Sequence, residues 1–236
     1  MTISNDTRSR IKHAFEPIAL GMGRLGLTPD ALTLIGFAIT VAGAGLLSQQ
    51  QWLAGGVIVL LGGVFDMFDG TLARATGTTS RFGAFLDSVF DRWGEALVYL
   101  GIVIGTSFAG FAEGAYFAAA AMGAAFMVSY ARAKAEGLGF TSGTGMGAIG
   151  IMPREVRLVV LSLGLILAPM PIYEALPPNA ACAGPCDLPQ GGTLTVALVI
   201  IFLGATITTI QRILHVRAQA RRQATTIPPE SPTAQN

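Results

Sequence analysis

Four aspartates set the chemistry open to this chain. Asp66 and Asp69 are three positions apart and Asp87 and Asp91 four apart, in a stretch that is otherwise strongly apolar. Either spacing puts both side chains on one face of an α-helix. Two helices joined by the polar turn 76–81 would bring the four carboxylates together. A carboxylate at membrane depth costs about 2.5–3.5 kcal/mol on insertion scales, and four in one pocket repel each other. Two divalent cations would cancel the four charges, and hard cations take oxygen ligands. The competing reading is a set of helix-end carboxylates that reach water or pair with Arg74, Arg81 and Arg92.

A two-metal carboxylate site suits in-line displacement at phosphorus. The ions would hold a diphosphate, and a carboxylate not fully engaged as a ligand would take the proton of an attacking hydroxyl. Gly70 and Gly83 leave room for a nucleotide beside the backbone; small residues at these places equally serve close contact between membrane helices. Arg74 offers a planar fork of donors to phosphate, although Arg74 and Arg81 also fit as membrane-surface charge.

The elements that must hold these residues follow from the apolar runs. Of the 236 residues, 52 % are hydrophobic and only 12 % charged, with a mean hydropathy of +0.58. A soluble domain carries about a quarter charged residues, so the composition indicates an integral membrane protein. A net charge of +1 gives no basic field for nucleic acid. Spans are expected at 31–48, Trp52 to about Ala75, about Phe82 to Phe108, about 114–135, about Pro153 to Ala168, and about Thr193 to Leu214. Asp66 and Asp69 fall late in the second span, Asp87 and Asp91 early in the third. Asp30 is expected to cap the first. Ahead of them, Ile11, Phe15, Ile18, Met22 and Leu25 form one helical stripe over residues 7–25, which suits an amphipathic helix lying in the membrane interface or an ordinary packed helix. The N-terminus does not read as a cleaved signal peptide.

The expected architecture is therefore all-α: an integral membrane fold of six transmembrane helices preceded by an N-terminal interfacial helix. It forms one domain over 1–222, with a disordered tail over 223–236 rich in Thr, Pro and Ser. All fifteen Lys and Arg residues fall at 8–24, 74–92, 132–157 and 212–222, and none near 49–51, 109–113 or 169–192. The positive-inside rule puts the charged ends, both termini and the aspartates on the cytoplasmic side of the cell's inner (plasma) membrane. Cys182 and Cys186 lie in the long outer loop, where a disulfide or two free thiols are both compatible with the sequence.

The aspartate stretch fits D-x2-D-G-x2-A-R-x8-G-x3-D-x3-D at Asp66, Asp69, Gly70, Ala73, Arg74, Gly83, Asp87 and Asp91. This resembles the signature of the CDP-alcohol phosphatidyltransferases, membrane enzymes that make phospholipids. The resemblance implies that Asp66, Asp69 and Asp87 bind metal and that Asp91 both touches metal and acts as base. It implies that Asp66, Asp69, Gly70, Ala73, Arg74 and Gly83 contact the CDP-lipid, with two Mg2+ or Mn2+ ions per site. The reaction would join CDP-diacylglycerol to a polar alcohol and release CMP. Related enzymes are dimers, so the resemblance also implies a homodimer.

Cations beyond the motif bear on the alcohol. Ser129, Arg132 and Lys134 lie in SYARAKAE, Arg154 and Arg157 in MPREVR, and Arg212 at the end of the last span. Cations converging on a carboxylate pocket suit an anionic acceptor; singly, each also fits as membrane-surface charge. SYARAKAE and EPIALGMGRLGLTPDALTLIG are similar to the phosphatidylinositol-phosphate synthase branch of the family, in which a serine and basic residues hold inositol phosphate. That similarity carries acceptor binding onto Ser129, Arg132, Lys134, Arg154, Arg157 and Arg212. The branch shows a tighter Arg-Pro-Glu-Arg arrangement, whereas here Pro153 precedes Arg154. Glycerol 3-phosphate is the next acceptor, as in phosphatidylglycerolphosphate synthases. Outside this chemistry, a membrane cation transporter also places carboxylates in helices, but the outer halves of these spans are almost uncharged. A scaffold would not need the intact motif.

Overall fold

In the computed structural model, residues 16–140, 149–168 and 192–226 are described, the last three by backbone alone. Among these residues the fold is all-helical. Helix α1 covers residues 16–24. It is followed by α2 (Pro29–Ser48), α3 (Trp52–Thr76), α4 (Arg81–Phe108), α5 (Ala112–Gly137), α6 (Arg154–Leu167) and α7 (Gly192–Thr226). Four of them, α2, α3, α5 and α7, are long and apolar enough to cross a membrane, which makes this a multi-pass membrane protein. Helix α4 is as long but carries Arg81, Asp87, Asp91, Arg92 and Glu95 between its start and its middle, and α6 has 14 residues.

The sequence writes the helix ends that place the aspartates. Helix α3 stops at Gly77, whose φ of 68° few side chains tolerate, and the Thr78 amide turns back onto the Ala73 carbonyl at 2.9 Å. Three residues later Ser80 caps α4, its Oγ accepting from the Gly83 amide at 2.8 Å. This turn brings the end of α3 and the start of α4 together with opposite directions.

The remaining helices close a ring: α2 packs on α3 and α4, α4 on α5, α5 on α7, and α6 bridges α7 to α3. Leu47, Val59, Tyr99, Ile102, Leu165 and Leu198 are buried at its centre. Helices α2 and α4 approach to backbone contact because Gly101 and Gly105 face the carbonyls of Ala44 and Leu47; a Cβ at either glycine would overlap them.

Three expectations are corrected. The cap of α2 is Thr28, whose Oγ1 accepts from the Ala31 amide at 3.2 Å, with Pro29 opening the helix; Asp30 sits in the first turn. The tail expected to be disordered from residue 223 is helical to Thr226, because the last helix continues without a breaker; residues 227–236 lie outside the described residues. The stripe on α1 is divided: Ala19 is buried with Leu32, Phe68 and Leu72, Met22 packs against them, and Ile18 and Leu25 are exposed. Ile11 and Phe15, the region 141–148, and the loop with Cys182 and Cys186 lie outside the described residues.

Candidate active site

The late part of α3 and the start of α4 bring ligand oxygens of Asp66, Asp69 and Asp87 within 4.8 Å of one another. Asp69 is the buried member. Thr33, one helix away on α2, donates to Asp69 Oδ2 at 2.6 Å, and the Gly70 amide donates to Asp69 Oδ1. These bonds fix the carboxylate's orientation, as the partners of a metal ligand must. Three clustered carboxylates with no nitrogen or sulfur donor are a set for a hard divalent cation, and divalent metal use follows from that chemistry.

Asp91 joins the triad through a shared guanidinium. Arg154 Nη1, from the first residue of α6, lies 2.7 Å from Asp91 Oδ1 and 2.7 Å from Asp66 Oδ2. The contact to Asp66 is a hydrogen bond, whereas the one to Asp91 Oδ1 is an ion pair without hydrogen-bond alignment. Arg92 reaches the other oxygen, Asp91 Oδ2, at 3.2 Å. An oxygen held by charge alone keeps lone pairs for a metal cation or an acidic proton once the guanidinium moves away.

Beside the triad a cleft of about 200 Å³ opens between the start of α2 and the α3–α4 turn. Asp69, Gly70, Ala73, Arg74, Gly83 and Asp87 line it, so five of the six expected nucleotide contacts share one wall; Asp66 lies in the neighbouring recess under Arg154. The glycines matter here: a Cβ at Gly83 would sit 3.2 Å from Asp30 Oδ1 and narrow the mouth. Sequence reasoning missed Asp30 and Thr33, and with them Thr78–Ser80, which complete the lining. The Thr-Pro-Asp start of a helix reads as capping, which hides its second position at the mouth of a cleft.

The expected acceptor residues do not behave alike. Arg154 reaches the aspartates. Arg157 is 2 % exposed and its guanidinium grips Glu95 at 2.8 and 2.9 Å while Nη1 donates to the Met152 carbonyl at 3.2 Å. Arg212 is also buried, donating from Nε to Ile149 O at 3.0 Å and from Nη1 to Val128 O. Both tie elements together at the end of the ring where the acceptor is expected. Arg132 pairs with Glu136 at 2.9 Å on the surface of α5, Lys134 is exposed, and Ser129 is half-buried on the same helix. All six lie at the end of the ring that holds the aspartates.

The CDP-alcohol phosphatidyltransferase family model matches residues 26–220. The archaetidylinositol phosphate synthase of Pyrococcus horikoshii is 38 % identical over 154 residues, 65 % of this chain and 77 % of that one. The phosphatidylinositol phosphate synthase of Mycolicibacterium smegmatis is 33 % identical over 215 residues, 89 % of this chain and 87 % of that one. Among solved structures, the Mycobacterium tuberculosis phosphatidylinositol phosphate synthase with CDP-DAG bound superposes with a TM-score of 0.70 at 29 % identity, covering 86 % of this chain and 92 % of that one. A second structure of that protein, with manganese and citrate, gives 0.68 at 28 % identity, covering 86 % and 88 %.

Proposed function

The chain belongs to the CDP-alcohol phosphatidyltransferase family, and from that premise we propose that it transfers the phosphatidyl group of CDP-diacylglycerol to an inositol phosphate, releasing CMP. The observation that carries this reading is the junction of a cleft of about 200 Å³, lined by Gly70, Ala73, Arg74 and Gly83, with the clustered carboxylates of Asp66, Asp69 and Asp87. The choice of acceptor draws on the relatives, which are inositol-phosphate lipid synthases.

In the proposed reaction Asp66, Asp69 and Asp87, with Asp91, hold two Mg2+ or Mn2+ ions, which supply positive charge at the diphosphate. Arg74 directs its donors to the diphosphate from the open side of the cleft. Asp91 takes the proton of the acceptor hydroxyl. The hydroxyl oxygen forms a bond to the lipid-side phosphorus as the anhydride bond to CMP breaks, and CMP leaves with the bond's electron pair. Ser129, Arg132 and Lys134 bind the acceptor phosphate, Arg154 answers the charge of Asp66 and Asp91, and Arg157 and Arg212 hold α6 and α7 in place around it.

In the membrane α4 and α6 form two further spans, six in all, with α1 and the turn after it lying in the interface on exposed Ile18 and Leu25. Residues 1–222 form the catalytic domain, and the charged end of the ring faces the cytoplasm at the inner (plasma) membrane. There a soluble phosphorylated acceptor arrives from water and the lipid from the side. Two copies form a homodimer. The test is CMP release by the purified protein in detergent with CDP-diacylglycerol and Mg2+, comparing inositol phosphate, glycerol 3-phosphate, inositol and serine. Release with inositol phosphate alone is expected. Release with glycerol 3-phosphate alone would keep the transferase and overturn the acceptor.

A further inference from the structure

Arg154 and a divalent cation want the same oxygens. One guanidinium nitrogen lies 2.7 Å from Asp66 Oδ2 and 2.7 Å from Asp91 Oδ1. A cation bound to those oxygens at about 2.0–2.6 Å would meet the guanidinium at close range, a repulsive contact between like charges. The cation and Arg154 therefore compete for these oxygens, and Arg154 needs a second place to go.

That place exists behind it. Arg154 also borders a cavity of about 40 Å³ between α3, α4 and α6, shared with Glu95, Tyr99 and Arg157. The volume is enough for a small polar group. Tyr99, which lines this cavity, is fully buried, and its hydroxyl has no hydrogen-bond partner among the described residues. Leaving such a group unmet costs about 1–3 kcal/mol. A phenol oxygen accepts from an N–H. Glu95 adds negative charge, because a carboxylate has about four acceptor sites and Arg157 occupies two of them.

We propose that Arg154 is a two-position counter-ion, paired with Asp66 and Asp91 until a divalent cation takes those oxygens, and then received by the Tyr99 hydroxyl and Glu95 in the cavity behind. Tyr99 and Glu95 are thereby positioning residues that set how tightly the catalytic cation binds. This rests on the reading of Asp66 and Asp91 as ligands.

The test is Mn2+ titration followed by electron paramagnetic resonance, without substrate, on the full-length protein in detergent. The variants are Tyr99→Phe, Arg154→Gln, the double variant, and Asp91→Asn. Tyr99→Phe removes only the unpartnered hydroxyl, so the packing survives. Affinity is expected to rise about tenfold in Arg154→Gln, since a cationic competitor is gone. It is expected to fall several-fold in Tyr99→Phe and to show no Tyr99 effect in the Arg154→Gln background. Unchanged affinity in Tyr99→Phe, or the same Tyr99 effect in both backgrounds, would overturn the inference. Asp91→Asn separates the two layers. If it leaves Mn2+ affinity unchanged, the ligand reading fails and takes the inference with it. If it weakens binding while the Tyr99 and Arg154 effects are missing, only the inference fails.

Discussion

At the residue scale, the site depends on how few atoms are left free to move. Asp69 receives one bond from Thr33 and one from the following amide, so both oxygens are aimed before any ligand arrives. Partners of this kind are worth about 10–100-fold in metal affinity. Thr33→Val keeps the shape of the side chain and removes the donor; Mn2+ affinity is expected to fall by about tenfold, within that range, measured by titration against a competing chelator. An unchanged affinity would show that Asp69 orients itself. Arg74 poses a different question, because its guanidinium lies open along the cleft wall over Gly70. Arg74→Lys keeps the charge and loses the planar fork. The apparent KM for CDP-diacylglycerol is expected to rise about tenfold, roughly one lost charge-assisted hydrogen bond, with kcat and the acceptor KM nearly unchanged. A matching rise in acceptor KM would place Arg74 elsewhere.

At the scale of elements, the Glu95–Arg157 pair joins α4 to α6 and so sets where Arg154 begins. Its side chains are 14 % and 2 % exposed. Breaking one partner of a buried pair costs about 3–5 kcal/mol, because the other charge is left unmet. Arg157→Met is expected to lower the unfolding temperature clearly, while Glu95→Gln together with Arg157→Met recovers much of the loss. A variant with normal thermal stability and only a raised acceptor KM would instead return Arg157 to the acceptor site.

The helices were legible because each is an apolar run punctuated by turn residues, and the expected spans agree with α2–α7 to within a few residues apart from the extended end of α7. The α3–α4 turn was legible for the same reason, its Gly and Ser standing where a stop and a cap belong. The cap of α2 was misplaced by two residues, although Thr28-Pro29 carries the signal of a capping residue followed by proline at the first helical position. The four aspartates were visible as a unit because helical spacing is local. The roles of Arg154, Arg157 and Arg212 were not. Their partners are 88, 62 and 63 residues away, and charge alone does not say whether an arginine faces a substrate or a carbonyl of its own chain.

At the scale of the molecule, six helices close a ring and the chemistry gathers at one end. Helices α3 and α4 converge there, and a divalent cation among the aspartates would be their common bond. Anything that binds only the folded state stabilises it by RT ln(1 + [L]/Kd), about 2.7 kcal/mol at a hundredfold excess over Kd. Adding Mg2+ or Mn2+ to the chelator-treated protein is therefore expected to raise its unfolding temperature, and Asp69→Asn with Asp87→Asn to abolish the rise. A rise of the same size in that double variant would mean the ion acts elsewhere.

The proposed reaction turns on Asp91, buried beside the metal ligands with one oxygen ion-paired to Arg154, taking the acceptor's proton. The decisive experiment pairs CDP-diacylglycerol binding with CMP release in Asp91→Asn. At Mg2+ high enough to fill the site in the variant, Asp91→Asn is expected to leave the dissociation constant close to that of the unchanged protein and to lower the rate by about 10²–10⁴-fold, the usual worth of general acid–base catalysis. Rate and binding lost in equal measure, or a rate that survives, would take the proton transfer away from Asp91.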